Sequence, residues 1–367
     1  MKCVSLYTGC GGLDLGFHDV GFRTVWANDI DAHALKSFRM ELTRRELPVP
    51  DLHHGDLSEM TLPERGCADL VIGGPPCQGF SVAGKMDPAD PRSRHVWEFF
   101  KVVQHISPSA FVMENVKALA QNSRWRGTLQ ALQRRGAELG FSTRLFVLNS
   151  ARFGVPQARE RMFLVGVKRG SVAAPKPVGE VKTIREALRS LPAVGEPGND
   201  SICSARVTAA KSPVLRKSPY AGMLFNGQGR PMDLDKPAPT LPASMGGNRT
   251  PIIDQKCLEE EVEPWVVSYH SRLVRGGVPL TRIPKRLRRL TVEEAACLQG
   301  FPLGMQFEGS QCAKFRQIGN SVPPALGAAV AKTVMAALEG DSGRYEWEGC
   351  QKMMICDTEK TYHAVSA

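Results

Sequence analysis

Cys77 stands in the run Gly73-Gly74-Pro75-Pro76-Cys77-Gln78-Gly79-Phe80-Ser81, immediately after the apolar segment Asp69-Leu70-Val71-Ile72. That segment predicts a buried β-strand. Two glycines at its end let another molecule approach the backbone closely, and Pro75-Pro76 stiffens the exit by fixing φ and removing two donors. The thiol is therefore expected on a rigid elbow at the carboxyl end of a strand, where open α/β sheets bind ligands. A cysteine held there can act as a covalent nucleophile. An isolated cysteine is more often a small buried hydrophobe, but this string reverses that preference. Two further places carry matching chemistry. Glu114 follows the apolar run Ala110-Phe111-Val112-Met113, so a carboxyl group is expected at a second strand end, able to hold or supply a proton. In Gln157-Ala158-Arg159-Glu160-Arg161, a period of two puts Gln157, Arg159 and Arg161 on one face, which gathers two positive charges there.

The elements that must position these groups alternate between strand and helix. Lys2 to Tyr7 predicts a short strand, and Thr8-Gly9-Cys10-Gly11-Gly12-Leu13-Asp14 a glycine-rich turn that opens a helix. The turn fails as a dinucleotide fingerprint, because Asp14 stands where a third glycine is required. An acid there suits a cofactor without phosphates, such as S-adenosylmethionine. A second strand, Phe22 to Ala27, ends at Asn28-Asp29-Ile30-Asp31. Asp29 is placed to accept hydrogen bonds from ribose hydroxyls, whereas Asp31 fits the N-cap of the next helix. Gly55-Asp56-Leu57 closes a third segment, and 144–149 and 161–167 read as further strands. Repeated alternation predicts an α/β fold, a doubly wound sheet with helices on both faces.

Gly-Pro-Pro-Cys-Gln-Gly-Phe-Ser resembles the catalytic motif of the DNA cytosine-5 methyltransferases, and other motifs of that family follow in order from about residue 5 to about residue 335. The resemblance implies a mixed, Rossmann-like sheet of the S-adenosylmethionine-dependent methyltransferase type with a second, smaller, irregular target-recognition domain. It implies methyl transfer to C5 of cytosine in a short duplex sequence, with the base flipped out of the helix, because its reacting face is stacked inside. Cys77 is then the nucleophile that adds at C6. Glu114, in Glu-Asn-Val, meets the ring N3, and Arg159 and Arg161 lie near the cytosine O2 and the catalytic acid. The cofactor set carried over is Tyr7, Gly9, Cys10, Gly11, Gly12 and Leu13 in the first turn, Asp29 at the ribose with Ile30 beside it, Asp56 at the adenine amino group with Leu57 beside it, and Pro75 before the nucleophile. Asn320 and Ser321, in Gly319-Asn320-Ser321-Val322-Pro323-Pro324, resemble the last motif and complete that set. S-adenosylhomocysteine would be the product. In the family the loop after the nucleophile closes over DNA, which assigns Gln78, Ser81, Lys85 and Arg94 to the DNA and would complete the site. Trp97 falls near a position that packs on the cofactor adenine.

Between the motif blocks the chain changes character. Thr183 to Leu191 has helical periodicity, a Pro/Gly-rich hinge follows at 192–199, and short segments with many turns continue to about 290. Pro237-Ala238-Pro239-Thr240-Leu241 resembles the recognition-domain signature, and Gly246-Gly247-Asn248-Arg249 reads as a polar loop suited to a base edge. Arg282, Lys285, Arg286, Arg288 and Arg289 crowd into eight residues, the pattern of a phosphate clamp. Thr240, Arg249 and Arg286 are thus expected at the DNA. The run Leu290 to Pro302 resembles the penultimate motif, which organises that domain. The expected division is 1–180 for catalysis and cofactor, completed by 312–340, with 181–311 for target recognition and hinge and 341–367 as a variable tail.

Composition agrees with a globular protein: of 367 residues, 42% are apolar and 23% charged, and the formal net charge of +10 favours a polyanionic partner. Ten cysteines are scattered without a Cys-x-x-Cys pair or a histidine at zinc-ligand spacing, so no metal and no disulfide framework is expected. The amino terminus lacks signal-peptide organisation, and no apolar stretch approaches the ~20 residues that span a bilayer. A cytoplasmic, monomeric enzyme acting on double-stranded DNA is expected, with a restriction endonuclease of the same target site as a possible partner that forms no stable complex. Amino-group methyltransferases are poor rivals because they need no cysteine nucleophile. An RNA cytosine methyltransferase would share the chemistry but not need the long recognition segment. A silent DNA-binding regulator would not need Cys77, Glu114, Arg159 and Arg161 together, and a nicotinamide oxidoreductase fails at the glycine turn.

Overall fold

Buried runs of alternating sidedness build one mixed sheet. The computed structural model describes residues 1–76, 94–260 and 262–340, with the backbone of Cys356–Asp357. Its strands are β1 (Lys2–Leu6), β2 (Arg23–Asp29), β3 (Asp51–His54), β4 (Leu70–Gly73), β5 (Ala110–Val116), β6 (Ser142–Asn149), the short β7 (Gln157–Ala158) and β8 (Glu160–Val167). The sheet order is β6-β8-β5-β4-β1-β2-β3, and Cys356–Asp357 pairs antiparallel to the outer edge of β6. Pairing is parallel from β3 through β5, while β8 runs antiparallel to both β5 and β6. The order turns back at β1 and β4, so the carboxyl ends of these two strands flank the crevice in which such sheets bind ligands.

Period two divides the apolar residues between two cores. Val71, Phe111, Met113, Leu145 and Leu164 face one side, under helices α3 (His95–Ile106), α4 (Lys117–Gln121) and α5 (Arg126–Glu138). Leu70, Ile72, Ala110, Val112 and Phe163 face the other, under α1 (Gly12–His18) and α11 (Pro324–Leu338). Helix α2 (Ala32–Arg44) starts at Asp31, whose carboxylate accepts from the amides of His33 and Ala34. Helix α11 starts with Pro324, whose missing donor costs nothing at a helix start. It lies backbone to backbone on α1: a β-carbon at Gly16 would stand 2.3 Å from the Pro324 carbonyl oxygen. The stretch Gln311–Leu338 does reach the length and apolar character of a bilayer span, contrary to the sequence expectation. It is nevertheless broken at Ser321–Pro323, and Leu326, Val330 and Val334 of α11 are buried in the core shared with α1.

The chain divides into two compact units. The first holds 1–153, 160–178 and 322 onward, and the second 154–159 and 179–321. The second contains α6 (Ile184–Leu188), α7 (Gln255–Glu259), α8 (Trp265–Val274), α9 (Val292–Gln299) and α10 (Gln311–Asn320). Its strands come in pairs: β9 (Ala209–Val214) with β10 (Met223–Phe225), β7 with β11 (Ala238–Pro239), and β12 (Ile252–Asp254) with β13 (Leu287–Arg289). Helix α10 belongs here, and the first unit resumes at Val322. The reason is local packing: the Gly319 backbone abuts Pro242 and Ala243, and the Gln317 amide donates to the Glu308 carbonyl at 2.8 Å.

Candidate active site

The glycine turn after β1 is built on backbone that turns left-handed three times, at Tyr7 (φ 55), Gly9 (φ 56) and Gly11 (φ 83). Gly11 is also the N-cap of α1. Asp14, the residue that breaks the dinucleotide pattern, faces inward and is 0% exposed. Its carboxylate accepts from the hydroxyls of Thr8 at 2.6 Å, Ser5 at 2.9 Å and Thr24 at 2.9 Å, which pins the turn from beneath. Burial pushes its pKa up from the usual carboxylate range, against the lowering effect of those hydroxyls.

Asp29 ends β2 and holds the far side of the turn. Its two oxygens accept from the Gly9 amide at 2.7 Å and the Asp31 amide at 2.8 Å, and burial raises its pKa. Ile30 beside it is 70% exposed, an apolar side chain left at the carboxyl edge. Asp56 caps the short turn Leu57–Glu59, and hydrogen bonds from Ser58 hold its pKa down. Among the described residues, the space above Gly9 is open: a β-carbon there would meet no atom of them within 4 Å. These features fit S-adenosylmethionine: turned backbone for its amino-acid end, Asp29 for ribose hydroxyls, and the exposed Ile30 with Asp56 for the adenine. Cys10, Leu13 and Leu57 are buried, so they can offer such a group backbone but little side chain. Trp97 on α3 is partly exposed.

Cys77 itself, with Gln78, Ser81 and Lys85, lies outside the described residues. The elbow that leads to it is described as far as Pro76. The Pro75 carbonyl accepts from the side-chain amide Nδ2 of Asn115 at 3.1 Å, so the exit of β4 is tied to β5. Glu114 sits within β5 and not at its end, and is 8% exposed. Its Oε1 meets the Arg161 Nε at 2.9 Å. A β-carbon on Gly74 would stand 2.9 Å from Glu114 Oε2, so the acid packs directly against the strand exit. An arginine-bound acid beside that exit can organise a base and a nucleophile together.

The arginine motif is not one continuous strand. β7 and β8 break at Arg159, and the unit boundary falls between Arg159 and Glu160. Arg159 is 1% exposed and donates to the carbonyls of Leu241 at 3.1 Å and Gly319 at 2.7 Å. Gln157 accepts from the Leu241 amide and donates to Gln299 at 2.6 Å, and Gln299 in turn donates to the Ser321 carbonyl at 2.6 Å. Ser321 thus ends a buried polar chain, while Asn320 is exposed at the end of α10. Arg94, at the start of α3, lies 3.7 Å from Asp56.

In the second unit the basic run is partly interior. Arg286 pairs with Asp254 at 2.6 Å, Arg288 with Glu294 at 2.6 Å, and the buried Arg289 donates to the Thr250 carbonyl at 2.6 Å. These guanidinium groups hold the unit's turns together. Their expectation as phosphate contacts came from charge density and the penultimate motif that follows it, neither of which can show that acids 32 and 6 residues away would claim Arg286 and Arg288. Thr240 donates to the Ala158 carbonyl at 3.2 Å, and Arg249 is exposed on the turn 246–250. Sequence reasoning missed Gln228. It is exposed at φ 68 in the turn Asn226–Arg230, whose Gly229 amide donates to Asn248 of the neighbouring turn. A non-glycine residue held left-handed marks such a turn as a place to look for function, and the signal available was Gly227-Gln228-Gly229 itself.

Comparison with known proteins gives the same assignment. The profile of the family described as C-5 cytosine-specific DNA methylase matches residues 1–336. Type II methyltransferase M1.HphI of Haemophilus parahaemolyticus is 31% identical, with 90% of this chain and 86% of that protein covered. Type II methyltransferase M.XorII of Xanthomonas oryzae pv. oryzae is also 31% identical, covering 91% and 84%. Among solved structures, the S. pombe Dnmt2 methyltransferase superposes with a TM-score of 0.63 at 19% identity, over 92% of this chain and 99% of that one. Entamoeba histolytica methyltransferase EhMeth gives 0.64 at 14% identity, over 92% and 98%, and these two likenesses concern the fold. The turn, the acid beside the β4 exit and the span of the family match together make this chain a member of the C-5 cytosine-specific DNA methylases, an enzyme that methylates cytosine in DNA at C5.

Proposed function

We propose that this enzyme methylates one cytosine within a short, specific duplex sequence, using Cys77 as nucleophile and S-adenosylmethionine as donor. The carrying observation is Glu114, ion-paired to Arg161 and packed against the exit of the strand that leads to Cys77. Cytosine C5 is a weak nucleophile because its ring is electron-poor. Addition of the Cys77 thiolate to C6 makes C5 electron-rich and places negative charge toward N3 and O2. Glu114 is assigned to the proton at N3, with Arg161 holding its carboxyl group in place. Arg159, which donates within its own unit, orders the backbone around Leu241 and Gly319. The donor supplies an electrophilic methyl group on a sulfonium. Tyr7 to Leu13, Asp29, Ile30, Asp56, Leu57 and Pro75 would hold it, with Asn320 and Ser321 assigned from the last motif. After transfer the C5 proton leaves and the Cys77–C6 bond breaks, which restores the aromatic ring and the free thiol.

The DNA contacts proposed are Gln78, Ser81, Lys85, Arg94, Thr240 and Arg249, with Gln228 added from its backbone conformation. Arg286 acts first through Asp254. The enzyme is proposed to act as a monomer, and its kinship with Type II methyltransferases supports pairing with an endonuclease of the same target. Conversion-based methylation sequencing of plasmid from a methylation-free host expressing the chain tests this reading. Methylated cytosines confined to one short motif are expected, and absence of methylation from soluble protein would refute it. Cys77→Ser should abolish transfer yet retain binding of DNA and S-adenosylhomocysteine, whereas near-normal turnover would remove Cys77 as the nucleophile.

A further inference from the structure

Tyr7 takes the left-handed conformation without the reason that a helix end supplies. Of the four described non-glycine residues with positive φ, Ser107 is the C-cap of α3 and Glu46 follows the end of α2, while Tyr7 lies between β1 and α1. Something must hold it there, since this region disfavours a side chain with a β-carbon. The Tyr7 hydroxyl reaches His95, the first residue of α3, at 3.2 Å from Nδ1 and 3.3 Å from its carbonyl oxygen. The two rings meet edge to face, with centroids 5.5 Å apart and planes at 83°. Burial, reinforced by the charges of Glu98 and Asp56, pushes the Tyr7 pKa up, so the phenol stays a donor. Burial also lowers the His95 pKa, which keeps the imidazole neutral and able to accept. Arg94 faces Asp56 at 3.7 Å, but that pair is largely exposed and contributes little.

We propose that His95 is a positioning residue for the methyl donor: through the Tyr7 hydroxyl and ring it fixes the left-handed entry to the Tyr7–Gly11 turn. The inference rests on the S-adenosylmethionine reading of that turn. One side of the turn is already fixed, by Asp14 through Thr8 and by Asp29 through the Gly9 amide. Its first residue has no such tie from β1 or α1, and His95 supplies it from α3. Losing the hydroxyl leaves the turn free to relax toward ordinary φ, which would disorganise the backbone that faces the donor and leave the chemistry at cytosine unchanged.

The test is calorimetric binding of S-adenosylhomocysteine to the full chain, beside steady-state kinetics and duplex-DNA binding. Tyr7→Phe and His95→Ala should each weaken S-adenosylhomocysteine about fivefold, the scale of one hydrogen bond. KM for S-adenosylmethionine should rise in parallel, and in His95→Ala kcat at saturating donor and DNA affinity should stay unchanged. His95→Asn, which returns a polar atom near the Nδ1 position, should recover most of the affinity. The double variant Tyr7→Phe/His95→Ala should bind no more weakly than either single one. Wild-type affinity in the single variants, additive losses in the double variant, or a parallel fall in DNA affinity would overturn the proposal. If the wild-type chain itself bound no S-adenosylhomocysteine, the cofactor reading would fail and the role of His95 with it; binding by wild type with indifferent variants would reject His95 alone.

Discussion

Glu114 and Gly74 show how little room the catalytic elbow leaves. The glycine has an ordinary backbone conformation, so its role is space: a methyl group would meet Glu114 Oε2 at 2.9 Å. Gly74→Ala should therefore displace the carboxylate from Arg161 without unfolding the sheet. We expect kcat to fall about tenfold or more, the scale of a small misplacement at a reacting group, with the thermal midpoint within a few degrees of wild type. Unchanged kcat would show that Glu114 need not occupy this position. Asp14 is a different case, an acid kept wholly inside the protein, where burial raises its pKa. Its three hydroxyl donors come from β1, the turn and β2, so it organises the cradle without facing the ligand. The sequence identified Asp14 as the residue that breaks the dinucleotide fingerprint. Only the fold showed that it lies beneath the turn, bound to three hydroxyls.

At the scale of elements, the contact of α1 with α11 decides whether the distant carboxyl-terminal segment completes the first unit. Leu13 and Phe17 share a core with Leu326, Val330 and Val334, and at Gly16 the backbone of α1 meets that of α11. Gly16→Ala would drive a β-carbon into the Pro324 carbonyl and the Ala328 amide, at 2.3 and 2.6 Å. Because both neighbours are backbone, neither can turn aside. A loss of about 1–3 kcal/mol is expected from such overpacking, seen as a lower midpoint in denaturant with unchanged slope; an unaltered midpoint would mean that α11 can shift freely. Most strands were legible because apolar runs at 70–73, 110–113 and 161–167 have the length and pattern of buried strands. The arginine motif was not, because a period-two reading assumes one unbroken strand. The chain leaves the strand path at Arg159, whose guanidinium is claimed by carbonyls 82 and 160 residues away.

For the whole molecule, each unit has its own core, and the chain crosses between them at 153/154, 159/160, 178/179 and 321/322. The net charge of +10 predicts DNA binding that weakens with salt. A plot of log affinity against log salt should be linear with a slope of magnitude about 3 or more, given ~0.9 per phosphate neutralised; a flat plot would contradict a phosphate-borne interface. The slope should change little in Arg288→Gln and Arg289→Gln, provided those variants fold, since both side chains are engaged by the protein. By itself the sequence determined the chemistry: a cysteine after Gly-Gly-Pro-Pro, an acid after an apolar strand, and a glycine turn unsuited to pyrophosphate are local patterns with local causes. Strand alternation determined the fold class in the same way. Tertiary structure alone decided which charges are spent inside the protein, where the second unit ends, and that Tyr7 is held by His95. Those outcomes depend on partners 6 to 160 residues apart, and no local pattern encodes which distant group will arrive.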